Sequence, residues 1–274
     1  MSEGPSQPAP KLTTVALAAR KGTAERTVAV TAYDVAFARL ADQAGVDVVL
    51  VGDSLGMVIQ GNASTLPVTV DEMVYHCRAA SRGVRRAHLV ADMPFMSYQA
   101  SVEDGMRAAG RLIKEGGAEA VKVEGGVEVA PLVQRLVAAG VPVMGHVGMT
   151  PQSVHAFGGF KVQGRTAGQR EKILADARAV SDAGAYALVI ESVPRKLGAE
   201  ITQAIRALTI GIGAGAGCDG QVLVMHDLLG LDPSWKPRFA RRYGALGEAS
   251  LAAFSAYAAD VRGGRFPSDD ESFE

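Results

Sequence analysis

Asp53, Asp92, Lys122, Glu124, His146 and Glu191, with Ser54 next to the first, each stand at the end of a short apolar run. Asp53, Asp92 and Glu124 offer carboxylate oxygens without a thiolate or a spaced histidine pair. Such donors suit a hard cation such as Mg2+ better than Zn2+. Three carboxylates at one point also repel one another strongly unless a divalent ion sits among them. Lys122 then supplies a point charge for an anionic group. Glu191, one strand beyond the cluster, is left as a general base. Cation, lysine and base together suit enolisation of a 2-oxo acid. The ion polarises the carbonyl, the lysine holds the carboxylate or developing enolate, and the glutamate removes a proton.

Each residue taken alone has a plainer explanation. Asp53 and Asp92 have the residue type of helix caps and turn formers. Lys122 and Glu124, two apart in "AVKVEGG", point to the same strand face and could form a structural ion pair. His146 by itself reads as a hydrogen-bonded packing residue, with a supporting role at most. The signal is the recurrence of such residues on consecutive strand ends.

The elements that must position them are legible as eight Val/Ile/Leu-rich runs: "TVAVTAYD", "VDVVLVGDS", "AHLVADMP", "AVKVEGG", "VPVMGHVG", "ALVIESV", "LTIGIGAG" and "QVLVMHD". Stretches of helical periodicity such as "VEDGMRAAGRLIKEGG" separate most of them, and many end in glycine, as helix C-termini do. Strands apolar on both faces and alternating with helices form a parallel sheet under helices. Eight units in this length predict an α/β fold, a (β/α)8 TIM barrel, whose active site lies at the C-terminal ends of the strands. A doubly wound open sheet is the structural alternative, with its ligand edge on the same side. Only "AGCDG" separates the last two runs, so that connection lacks a helix. The expected organisation is a flexible Pro/Ser/Gly-rich arm over residues 1–24, one barrel over 25–265, and a frayed acidic tail over 266–274.

The chain has 274 residues, 48% hydrophobic and 21% charged, with a formal net charge of −1. That balance fits a compact globule and argues against disorder. No basic run is dense enough for nucleic acid or an anionic membrane. Aromatics, at 5%, occur singly and make no base-stacking platform. Cys77 and Cys218 are too few for a disulfide framework and suit a reducing cytoplasm. No apolar run is long enough to span a membrane, and the first residues lack the basic and apolar regions of a secretory signal.

Two motifs mislead. "GDSL" (52–55) matches the name of a serine esterase family, yet the D-x-x-H pair that would supply its base occurs nowhere in the chain. "GAGCDG" (215–220) has the spacing G-x-G-x-x-G, but it leads into an apolar run instead of opening a helix.

Seven stretches occur in the order of one known family. They are "TAYD" (31–34), "VGDSLGMVIQG" (51–61), "ADMPFMSY" (91–98), "AVKVEGG" (120–126), "PVMGHVGMTPQSVHAFGGFKVQGR" (142–165), "VIESVP" (189–194) and "IGIGAGAGCDGQVLVMHDLLG" (210–230). On these the chain resembles the ketopantoate hydroxymethyltransferases. The resemblance implies a barrel of the phosphoenolpyruvate/pyruvate-binding type. It also implies hydroxymethyl transfer from the co-substrate 5,10-methylenetetrahydrofolate to 3-methyl-2-oxobutanoate, giving 2-dehydropantoate for pantothenate and coenzyme A synthesis. Carried over by position, Asp53, Asp92 and Glu124 match the family's Mg2+ residues. Asp53, Ser54, Asp92 and Lys122 match its oxo-acid contacts, and Glu191 its proton acceptor. The family is cytoplasmic and forms homo-oligomers, typically decamers. The segment from His146 to Arg165 is the expected folate contact.

Three rival readings use the same residues. A Mg2+-dependent carbon–carbon lyase of the phosphoenolpyruvate mutase or isocitrate lyase kind would need no folate. A class I aldolase would use Lys122 as a Schiff-base nucleophile. A barrel kept only for assembly or ligand sensing would have lost its acids, and these are all present.

Overall fold

The computed structural model describes residues 10–274. Two compact units emerge, one running to Leu223 and one spanning Val224–Glu274. The sequence reading instead ran one unit from 25 to 265.

The first unit holds eight parallel strands closed into a barrel in chain order. They are β1 (Thr27–Thr31), β2 (Val48–Val51), β3 (His88–Asp92), β4 (Ala120–Glu124), β5 (Val143–Gly148), β6 (Ala187–Glu191), β7 (Leu208–Ile212) and β8 (Gly220–Leu223). Pairing of Thr27–Val30 with Gly220–Leu223 closes the ring, which excludes the open sheet. The link from β7 to β8 has no helix, as its length implied, and "GAGCDG" is the turn within it.

The helices begin with α1 (Thr14–Ala18), α2 (Val35–Gln43), α3 (Leu55–Val58) and α4 (Val70–Ser81). Next come α5 (Val102–Lys114), α6 (Ala130–Ala138), α7 (Val154–Phe157), α8 (Ala167–Asp182) and α9 (Arg195–Ala204). Local chemistry fixes their starts. Asp34 caps α2 by accepting from the Ala36 and Phe37 amides. Thr69 with Glu72 and Thr166 with Gln169 form reciprocal capping boxes on α4 and α8.

Every second strand residue points into the barrel. Ala29, Leu50, Val90, Met144, Val189 and Ile210 are among those that fill it. One inward side chain comes from outside the sheet. Leu17 of α1 is fully buried in the same cluster. Residues 10–24 therefore do not form the flexible arm that their neighbours' composition suggested. Thr13 caps the short helix, and burial of Leu17 holds it at the N-terminal end of the barrel. The remainder of that arm, residues 1–9, lies outside the described residues.

The second unit contains α10 (Met225–Leu229) and α11 (Leu246–Arg262). Thus "QVLVMHD" is a strand only as far as Leu223 and a helix from Met225. The acidic end is more ordered than a frayed tail, because Ser268 and Glu271 cap each other around a single turn at Asp269–Glu271.

Candidate active site

Strand register brings the candidate residues together. Asp92 pairs with Lys122, Glu124 with His146, and Gly148 with Glu191. Paired residues face the same way, so these side chains climb the inner wall at the C-terminal ends of β3 to β6. Asp53 lies two residues beyond β2, and Ser54 directly precedes α3. Gly148 is a geometric requirement: it has φ 97, and a Cβ there would stand 2.3 Å from the Glu191 carbonyl oxygen. Immediately after Glu191, Ser192 takes a left-handed backbone with φ 47, an uncommon conformation for a residue with a side chain.

The side chains form one connected cluster. Lys122 Nζ lies 3.1 Å from Asp92 Oδ1, 3.6 Å from Glu124 Oε1 and 3.0 Å from His146 Nδ1. His146 Nδ1 is 3.3 Å from Glu124 Oε1, and its Nε2 is 3.3 Å from Glu191 Oε2. The Asp53 amide donates to Asp92 Oδ2 at 3.0 Å. Ser54 Oγ and Tyr33 Oη share a hydrogen bond of 2.9 Å. Asp53, Asp92, Lys122, Glu124 and His146 are all buried, whereas Glu191 keeps part of its side chain exposed. All seven residues singled out in the sequence therefore meet at one mouth.

Sequence reasoning missed three uncharged members. Gln152 follows β5, donates its amide N–H to Glu124 Oε2, and donates from Nε2 to Asp53 Oδ2. Tyr98 bonds Gln152 Oε1 and the main chain of Glu124. Tyr33 holds Ser54. All lie inside the quoted motifs, but a search for charges passes over them.

Charge is unevenly compensated. Burial, then Asp92 and Glu124, push the Asp53 carboxyl well above the usual range, and Asp92 is raised too, chiefly by burial. Burial also acts against Glu124, yet Lys122 and His146 overcome it and hold that carboxyl low. Lys122 is buried, but Asp92, Glu124 and Asp53 keep it firmly protonated. For His146 two influences conflict. Burial and Lys122 oppose protonation, whereas the Glu124 and Glu191 carboxylates push the ring up to about 9. A charged lysine 3.0 Å from Nδ1 needs that nitrogen as an acceptor. Glu124 Oε1, 3.3 Å from the same nitrogen, competes for it as a donor, and Nε2 lies 3.3 Å from Glu191 Oε2 without a well-directed hydrogen bond.

The donor set fits Mg2+ in a particular way. Among the described residues no three His, Cys, Asp or Glu side chains form a ready-made metal cage. The Lys122 ammonium stands between Asp92 and Glu124, so the three acids share the mouth without converging on one point. Mg2+ is commonly held by one or two carboxylates, with waters and substrate completing its shell. Asp53 and Asp92, adjacent and short of positive charge, are the residues that would supply those oxygens. Asp92 Oδ1 accepts no well-directed hydrogen bond despite its nearness to Lys122.

The family profile described as Ketopantoate hydroxymethyltransferase matches residues 11–269. The chain belongs to this family. It is 54% identical to the 3-methyl-2-oxobutanoate hydroxymethyltransferase of Anaeromyxobacter sp. (strain K), over 100% of this chain and 90% of that one. Among solved structures, 2,3-dimethylmalate lyase, of the PEP mutase/isocitrate lyase superfamily, superposes with a TM-score of 0.61 at 19% identity, covering 97% of this chain and 90% of the lyase. Phosphonopyruvate hydrolase in complex with oxalate and Mg++ gives 0.60 at 17% identity, covering 94% and 92%. At those identities the likeness is one of fold. By its family the chain is an enzyme, and its barrel has the same fold as those structures.

Proposed function

We propose that this chain transfers a hydroxymethyl group from 5,10-methylenetetrahydrofolate to 3-methyl-2-oxobutanoate, forming 2-dehydropantoate with Mg2+ as cofactor. Asp53 and Asp92 hold the ion, with Glu124 beside them. When bound, it withdraws electron density from the substrate's keto oxygen and acidifies the C3 proton. Lys122 and Ser54 fix the substrate carboxylate, and Tyr33 keeps the Ser54 hydroxyl in place. Glu191 removes the C3 proton, with His146 Nε2 3.3 Å from its carboxylate. The C3 carbon then bonds to the folate-borne methylene carbon as one of its two C–N bonds breaks, and water replaces the second nitrogen and leaves its oxygen as the hydroxyl. The two freed nitrogens of tetrahydrofolate take up the proton from C3 and one from the water.

One observation carries this reading. Lys122 and Glu191 lie on opposite sides of His146, at 3.0 and 3.3 Å. An anion-holding group and a partly exposed base are therefore linked through one histidine at the barrel mouth, beside two acids short of positive charge. Cytoplasmic location and a homodecamer belong to the same proposal. Cys77 and Cys218 are unpaired, as a reducing compartment allows, and no helix among the described residues is long and apolar enough to cross a membrane.

The test is turnover of purified protein with 3-methyl-2-oxobutanoate and 5,10-methylenetetrahydrofolate, with and without Mg2+. Formation of 2-dehydropantoate that stops on chelation supports the proposal. Failure to form it, or cleavage of a 2-oxo acid adduct without folate, favours the lyase reading.

A further inference from the structure

We propose that Gln152 is a positioning residue that sets the orientation of Asp53 and Glu124 for a divalent cation. This rests on the reading of the mouth as a cation site. Gln152 lies in the turn Pro151–Ser153 after β5, so it reaches across β4 and β3 to the end of β2. Its main-chain N–H donates to Glu124 Oε2 at 2.9 Å, and its side-chain Nε2 donates to Asp53 Oδ2 at 2.8 Å. One buried residue thus grips both acids.

The direction of its amide is fixed by its partners. Nε2 also donates to the Met93 carbonyl at 2.9 Å, so both amide hydrogens face acceptors. Oε1 meets the Tyr98 hydroxyl at 2.8 Å and Gln99 Nε2 at 2.9 Å. Rotating the amide would set Oε1 against a carboxylate and a carbonyl, which leaves buried acceptors unpaired. Every polar atom of the side chain is committed to this bracing. Gln152 holds one oxygen each of Asp53 and Glu124, while the other Glu124 oxygen faces Lys122 and His146. Outer partners of this kind tune cation affinity by orienting the ligands themselves.

The experiment measures Mn2+ binding, by calorimetry and by the spin resonance of free Mn2+, to wild type, Gln152→Met and Asp53→Asn. Methionine keeps the length and the main-chain bond but removes both side-chain donors. The expected result is a Mn2+ Kd about 10- to 100-fold weaker in Gln152→Met, with cooperative unfolding in EDTA retained and less stabilisation by Mn2+. A purely structural role would lower the unfolding midpoint equally with and without Mn2+ and leave Kd alone. A Kd within twofold of wild type overturns the proposal. Should Gln152→Met fail to fold, Tyr98→Phe takes its place, because it removes one of the two donors to Oε1, Gln99 being the other, and the bonds to the Glu124 main chain, without touching an acid side chain. Weaker Mn2+ binding is expected there too, and unchanged binding overturns the proposal. If wild type binds no Mn2+, or Asp53→Asn binds it as well as wild type, the cation reading itself fails.

Discussion

The two ends of the barrel carry the same kinds of residue and use them in opposite ways. At the N-terminal floor, His88 opens β3 and points inward, buried, with its ring edge-on to Tyr186 at 5.7 Å. Glu119 takes Lys11 at 2.8 Å and the Leu89 amide at 2.8 Å. Burial outweighs Glu119 and drives the His88 pKa down to about 4, so the ring stays neutral. Leu17 closes this end. At the mouth the acids outnumber their partners, Asp53 and Asp92 are raised, and a lysine stays charged among them. A polar residue at a strand end is therefore weak evidence of a site. Charge that its neighbours leave uncompensated is strong evidence.

Lys122→Ala should break the mouth most severely. It leaves Asp92 and Glu124 buried without their counter-charge, a change worth about 3–5 kcal/mol, and on the proposed function it removes the group that would hold the substrate carboxylate. Urea unfolding and turnover should both fall. Leu17→Ala should strike the floor alone. A fully buried leucine costs about 2–5 kcal/mol when truncated, while turnover per folded molecule stays as in wild type. Loss of turnover at full folding would show that the two ends are coupled.

The next effect depends on pH. His88 has a folded pKa below its unfolded value, so the unfolded chain binds the extra proton between about pH 6.5 and 4. Stability is present in full above the unfolded value and falls as pH drops through that window, by as much as about 3 kcal/mol. Denaturation of His88→Gln across the window should show a shallower acid decline than wild type. Equal slopes would mean that the floor histidine is charged in the folded state. The smallest effect belongs to Tyr33→Phe, which removes the 2.9 Å bond to Ser54. It should cost about 1 kcal/mol and raise the KM for the oxo acid a few-fold with kcat unchanged.

The sequence revealed the mouth better than the floor for a physical reason. Charged residues closing apolar runs contradict their local surroundings, so Asp53, Asp92, Lys122, Glu124 and Glu191 stand out without any structure. Alternation along each strand then dictates which of them share a face. Leu17 contradicts nothing locally, because a leucine in a short polar-flanked stretch gains meaning only when the barrel end it fills exists. Gln152 and Tyr98 act through hydrogen bonds between segments far apart in the chain, and an uncharged side chain gives no sign of such partners. The Glu124–Lys122 pair was legible as a pair; that the lysine would stand between two acids, keeping three carboxylates from one point, depended on distances that register alone does not set.

The most direct test is solvent exchange of the C3 proton of 3-methyl-2-oxobutanoate in D2O, followed by proton NMR without folate. The account predicts exchange that requires Mg2+ and proceeds without the one-carbon donor. It also predicts that Glu191→Gln loses exchange while still binding substrate and metal. Exchange that survives chelation, or that persists in Glu191→Gln, would contradict it.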